Sequence, residues 1–179
     1  MARVSFIEKE TAAPDVRELF EKLEAGGQQL LNIYKVIGHS SGIAPDFFRL
    51  ANRILFRGKL PAPIRELAIL RVGHLAQAPY EYTKHVLIGR KAGLSQAHID
   101  AIPAGPGASV YDERERAVLT YTDEVSRNYR TSDETFAALR NHFDEEQVVE
   151  LTIVIGFYEM ICRVLEALQV ELEDDFEPF

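Results

Sequence analysis

The stretch that decides the fold is residues 61–93, PAPIRELAILRVGHLAQAPYEYTKHVLIGRKAG. Its first half is apolar on most faces, which is typical of a helix at the centre of a protein. Its second half opens with a proline after a tight break and ends at Gly93, the usual punctuation of a helix. The sequence therefore predicts a central pair of helices over Pro61–Gln77 and Tyr80–Ala92, packed antiparallel because the break is short.

The segments on either side of this pair are also helical in pattern. Proline or a capping residue opens several of them and glycine closes them, and Ser95 is predicted to cap the short helix SQAHIDAI. No segment alternates with a period of two, and PAGPGAS lacks the spacing of a phosphate loop, so it is interpreted as a linker. We expect a single all-α domain over residues 1–179, a bundle of about seven to nine helices.

Composition limits the function classes. The chain has 179 residues and a formal net charge of -8, which argues against a basic surface for nucleic acid. Cys162 is the only cysteine, so no intrachain disulfide is possible, and its expected role is packing. The most apolar run, LTIVIGFYEMIC, is short for a membrane span. These features predict a soluble, cytoplasmic protein that does not bind membranes.

Glu81 and His85 lie four residues apart on the second central helix, so their side chains meet on one surface. His85 falls near the middle of the inward face, with the small Gly89 and Ala92 beside it. One interpretation is a carboxylate that orients an imidazole for general acid–base chemistry. The alternative is a buried structural histidine and a glutamate that complements the helix dipole.

Glu66 is a third candidate, on an apolar stripe of the first central helix. A carboxylate there needs a partner. It is either part of the same site or a structural acid near the helix N-terminus, paired with Arg65 or Arg71.

The segment RELAILRVGHLAQAPYEYTKHVLIGRKAGLS resembles the core of the carboxymuconolactone decarboxylase family, which includes the alkylhydroperoxidase D-like (AhpD-like) proteins. A looser similarity extends from Leu30 to Val170. The resemblance implies an AhpD-like helical bundle that assembles as trimers, hexamers or related oligomers.

The peroxidase branch of that family has a glutamate, two cysteines and a histidine at the spacing of positions 66, 78, 81 and 85. Glu66 and His85 match, but Ala78 and Glu81 stand where the cysteines would be. Peroxide reduction in that branch needs a thiolate and a resolving thiol, so thiol peroxidase chemistry is not expected here. The decarboxylase branch also lacks the cysteine pair and keeps acid–base residues.

Several other side chains are candidate binding groups. His39 either caps a helix or lines a pocket expected between the two central helices. Tyr34, Tyr80 and Tyr158 are either hydrogen-bond donors into the site or structural core residues. Arg163 either pairs with Glu159 or binds a substrate carboxylate. A metal site is not favoured, because the Glu-x-x-x-His spacing differs from the Glu-x-x-His of di-iron bundles and occurs once. No cofactor is expected.

Three functions follow as hypotheses. The first is cofactor-free proton transfer, lyase or decarboxylase chemistry on a small organic acid or lactone, with His85 as the acid–base group, Glu81 orienting it and Glu66 as a relay. The second is a helical ligand-binding oligomer without chemistry. The third, ranked last, is antioxidant activity. A homo-oligomer is expected in each case, because the helices are rich in apolar faces.

Overall fold

The structure, a computed structural model, describes residues 1–173 and is helical throughout, with no β-strand in that range. The α-helices, numbered α1 to α9, are Pro14–Ala25, Asn32–Ile37, Ala44–Phe56, Ala62–Leu75, Pro79–Ala92, Gln96–Asp100, Glu113–Asn128, Asp133–Arg140 and Glu145–Leu168, and a 3₁₀-helix covers Ile102–Gly107. The predicted all-α bundle is confirmed. So are the two central helices, within one or two residues at each end.

The chain divides into two compact units. Among the described residues, one comprises residues 1–57 and 165–173, and the other comprises residues 58–164. The expectation of a single domain over 1–179 remains a prediction. In the first unit, α1 and α3 enclose a small apolar cluster of Ala12, Val16, Phe20, Ala44 and Phe48.

In the second unit the central pair is antiparallel, as predicted. A Cβ placed on Gly73 of α4 would lie 3.3 Å from the backbone of Tyr82, near the start of α5. One placed on Gly89, near the end of α5, would lie 3.4 Å from Leu70 and 3.7 Å from Glu66, earlier in α4. The two glycines therefore allow the helices to approach closely along their length. The core of this unit is formed by Leu67, Leu70, Leu94, Ile99, Ile102, Tyr111 and Leu119.

Local signals account for several helix ends. Ser95 accepts a hydrogen bond from the backbone N–H of His98, which confirms the predicted cap of α6. Asp112 and Glu115 form a capping box at the start of α7, and Ser132 caps α8. The segment interpreted as a linker, PAGPGAS, differs from expectation: most of it belongs to the 3₁₀-helix, which packs on the buried Arg71.

No helix among residues 1–173 has both the length and the apolar character needed to cross a membrane.

Candidate functional site

Three ionisable side chains meet between α4 and α5. The Nδ1 of His85 donates to Oε2 of Glu66 at 2.6 Å, and the Nε2 of His85 lies 2.9 Å from Oε1 of Glu81. Antiparallel packing brings Glu66 to His85, and the four-residue spacing on α5 brings Glu81. The predicted contact between Glu81 and His85 is therefore confirmed, Glu66 joins it, and both ring nitrogens of His85 are engaged.

The cluster is almost closed to solvent. Glu66 is 0% exposed, and Glu81 and His85 are each 5% exposed. Glu81 is thus as deeply buried as His85. An open cavity of about 640 Å³ lies at the turn between α4 and α5, where Ala78, Pro79, Tyr82 and Thr83 line it.

The outer end of the cluster is held by Arg65. Its guanidinium contacts Oε1 of Glu66 at 3.0 Å, so the two oxygens of this carboxylate serve two different cations. The sequence offers Arg65 and Arg71 as partners of Glu66, and in the structure Glu66 pairs with Arg65. Arg71 instead forms a bidentate pair with Asp123.

The surroundings of His85 set the direction in which its pKa is shifted. Burial lowers the pKa of the imidazole, but the charge of Glu81 and the hydrogen bonds to Glu66 and Glu81 outweigh it, and the pKa rises from 6.5 to about 9. At neutral pH His85 is therefore mainly an imidazolium. Two formal positive charges, on Arg65 and His85, then face two formal negative charges, on Glu66 and Glu81.

Tyr158 of α9 completes the wall beside the imidazole. Its ring meets His85 edge-on, with centroids 4.9 Å apart and planes at 83°. The sequence makes Tyr158 a candidate hydrogen-bond donor into the site, but it does not predict the ring contact with His85, because that contact depends on how α9 packs. No local spacing signals it.

The other four predicted binding residues occupy different surroundings. Tyr80 is buried on α5, with the Lys84 ammonium 5.9 Å from its ring centre. Arg163 is exposed and pairs with Glu159 at 3.3 Å. Tyr34 and His39 belong to the first unit, where Tyr34 packs edge-on against Phe48 and the ring of His39 hydrogen-bonds the Ser5 carbonyl. Their roles in binding remain predictions.

Within residues 1–173, no group of three or more His, Cys, Asp and Glu side chains is arranged to hold a metal ion.

Comparison with known proteins supports one family. Residues 43–124 match the model of the carboxymuconolactone decarboxylase family. This match, over a little under half of the chain, and the shared fold support the carboxymuconolactone decarboxylase/AhpD-like superfamily. In the resemblance, Ala78 and Glu81 stand at the positions of the peroxidase cysteines.

Three relatives illustrate the range of similarity. The uncharacterized protein YdfG of Bacillus subtilis is 29% identical over 94 residues, which cover 51% of this chain and 64% of YdfG, slightly less than two thirds of that protein. A protein of unknown function from Agrobacterium tumefaciens, described as a candidate AhpD antioxidant defence protein, is 25% identical, with a TM-score of 0.72 over 78% of this chain and 97% of its own. An uncharacterized peroxidase-related protein from Ralstonia eutropha JMP134 shares the fold, with a TM-score of 0.84 at 20% identity over 97% and 93% of the two chains.

Proposed function

We propose that this protein is an enzyme that transfers protons on a small organic acid or lactone without a cofactor, as a lyase or decarboxylase does. The observation that carries the proposal is the continuous chain Glu66–His85–Glu81, in which an imidazolium links two carboxylates. Such a chain moves a proton over several ångströms by short shifts between hydrogen-bonded atoms.

Within this chain Glu81 is the group that meets the substrate. Both nitrogens of His85 and both oxygens of Glu66 are engaged, and Glu81 contacts His85 through its Oε1. Glu81 would thus give or take the proton, His85 would supply or receive it through Nε2, and Glu66 would hold the imidazolium from the other side. The raised pKa of His85 favours a resting state in which a proton is available for donation.

The chemistry is compatible with the residues at the two thiol positions. A carboxylate at position 81 replaces a sulfur nucleophile by an oxygen acid–base group, and Ala78 provides no resolving thiol. Oxygen acid–base catalysis of this kind needs no reductant. We include a cytoplasmic location in the proposal.

The proposal is tested by following the exchange of substrate protons for deuterium. This measurement detects proton transfer even when the overall reaction is not known. A panel of small lactones and keto acids, with and without a free carboxylate, is incubated with the protein in D₂O, and deuterium incorporation and CO₂ release are followed by NMR. The Glu81→Gln variant should lose roughly 100-fold or more of the activity. A Glu124→Gln variant is the matched control, because Glu124 is a carboxylate with several hydrogen bonds in a separate network at the start of α8.

A second function is favoured by one observation, the near-complete burial of the cluster. In this alternative, a ligand-binding oligomer, the cluster is a structural network. Glu81→Gln and His85→Gln would then lower the melting temperature, and neither the wild-type protein nor the variants would exchange substrate protons. Exchange by the wild type that disappears in a folded Glu81→Gln variant would exclude the alternative.

A further inference from the structure

An open groove of about 780 Å³ lies between α1 and α3, both of which belong to the first unit. Its apolar surface is formed by Leu19 and Leu23 of α1 and by Pro45 and Phe48 of α3. Phe48 is part of the apolar cluster of this unit, and Leu19 packs against that cluster. The groove therefore has an apolar floor that is fixed by a packed core and open to solvent.

Arginines line the α3 side of this groove. Arg49, Arg53 and Arg57 are all exposed and follow one another at four-residue spacing, so their side chains lie along one side of the helix. Like charges at this spacing destabilise a helix. A single cation in the last turn is enough to complement the helix dipole, so the stability of α3 does not explain a row of three.

Two of these arginines have free guanidinium groups. Arg49 contacts Asp46 at 3.0 Å, whereas Arg53 and Arg57 form no ion pair or side-chain hydrogen bond among the residues described. An exposed guanidinium without a partner keeps all of its N–H donors for a ligand. Arg53 and Arg57 therefore offer a pair of cations one helical turn apart, in a chain whose formal net charge is -8.

The α1 side of the groove contributes little opposing charge. Lys22 and Glu18 form an ion pair at 2.5 Å, so their charges offset each other. Asp15, near the start of α1, is the remaining α1 charge among the residues that line the groove. The lining as a whole is therefore positive, and its cations lie beside the apolar floor.

We propose that this groove binds a small amphipathic anion, a molecule with an apolar body and a phosphate or carboxylate head. The body would lie on Leu19, Leu23 and Phe48, and Arg53 and Arg57 would bind the head. A planar guanidinium binds either kind of head through two parallel N–H···O bonds. Both parts of the ligand are needed, because water competes for exposed arginines and because an uncharged body leaves the guanidinium groups unused.

A free molecule fits this groove better than a membrane lipid does. The apolar floor is recessed between two helices, so a flat bilayer surface meets the helix rims before it meets the floor. The residues of the groove lie between positions 15 and 57 and include none of Glu66, His85 and Glu81. The proposed site therefore goes beyond the proposed acid–base chemistry and does not depend on it.

An NMR titration of isotope-labelled protein, read from its amide chemical shifts, tests the site. Decyl phosphate and decanoate are the probes, decanol is the uncharged body and inorganic phosphate is the free head, all used below the concentrations at which micelles form. Both anionic probes should give saturable shifts concentrated in α1 and α3. Decanol and inorganic phosphate should each bind roughly tenfold more weakly or less. Equal affinity for decanol, or an absence of saturable shifts in α1 and α3, would overturn the proposal.

Substitution of the two free arginines tests their role. The double variant Arg53→Gln/Arg57→Gln should lose roughly tenfold or more of its affinity for decyl phosphate and decanoate. Arg130→Gln is the matched control, because Arg130 is also exposed and without an ion pair among the described residues, but lies in the second unit. Unchanged affinity in the double variant, or an equal loss in Arg130→Gln, would show that the groove arginines do not bind the head.

Co-sedimentation with vesicles of phosphatidylcholine and phosphatidic acid distinguishes a free ligand from a membrane lipid. The wild-type protein should stay in the supernatant, as it should with vesicles of phosphatidylcholine alone. Wild-type protein that pellets with the anionic vesicles, and no longer does so in the Arg53→Gln/Arg57→Gln variant, would overturn the assignment to a free molecule.

Discussion

His85 is held from both sides, and its energetics follow from that arrangement. Glu66 and Glu81 contact different nitrogens of one ring, and the ring is almost fully buried. Removing either carboxylate would leave a buried charge with one partner fewer, which is commonly more destabilising than removing the whole network. Substitution of His85 itself would bring two carboxylates together without the cation between them.

The pH dependence of stability is the first prediction at this scale. The pKa of His85 is raised from 6.5 to about 9, so its contribution is fully present below about pH 6.5 and is lost as the pH rises through 9. The free energy of unfolding should therefore fall between these limits, by on the order of 3 kcal/mol from the size of the pKa change. The measurement is urea denaturation at several pH values for the wild type and His85→Gln. A wild-type curve parallel to that of the variant across this range would contradict the prediction.

At the scale of elements, one arginine fixes the connection between α6 and α7. Arg71 of α4 forms two bonds to Asp123 of α7, at 2.6 and 2.8 Å, and donates to the carbonyl of Ile102 at 2.6 Å. Gly105 lies directly against the guanidinium, with φ of 70° and ψ of -157°. This backbone conformation is essentially restricted to glycine.

Gly105→Ala should therefore destabilise the protein for two reasons. The new Cβ would lie 2.7 Å from the Arg71 guanidinium, and alanine would adopt a strained φ. We expect a loss of about 2–3 kcal/mol in the free energy of unfolding, measured by chemical denaturation. Gly107→Ala is the control, because a Cβ at that position meets nothing within 4 Å. Equal stability of the two variants would show that the connection adapts without strain.

The same connection shows what sequence reasoning misses. The helices were predictable because proline, glycine and capping residues mark their ends within the chain itself. The ordered 3₁₀-helix was not, since its conformation depends on Arg71, which lies about thirty residues earlier in sequence. Likewise, the i,i+4 spacing predicted the contact between Glu81 and His85, and the antiparallel packing of α4 and α5 brings Glu66 close to His85. The contact between Tyr158 and His85 could not be predicted, because nothing in the local sequence indicates how α9 packs.

At the scale of the whole molecule, the acid–base cluster and the Arg71 network both fall within residues 58–164. Tyr34 and His39 lie in the first unit. Substituting each of them and repeating the exchange assay tests its predicted role in binding. The single cysteine lies in the second unit, where Cys162 of α9 is 1% exposed.

The last prediction concerns redox chemistry of the whole chain. Peroxide reduction by the thiol branch requires an accessible thiolate and a second thiol to resolve the oxidised form. This chain has one thiol in 179 residues, and it is buried in an apolar helix. Peroxide consumption with a dithiol reductant should therefore equal the protein-free rate, and Cys162→Ser should leave it unchanged while lowering the melting temperature by a few degrees, as expected for a polar change in a packed core. A dithiol-dependent rate well above the blank that disappears in Cys162→Ser would contradict this expectation and would place the chain with the thiol peroxidases despite Ala78 and Glu81.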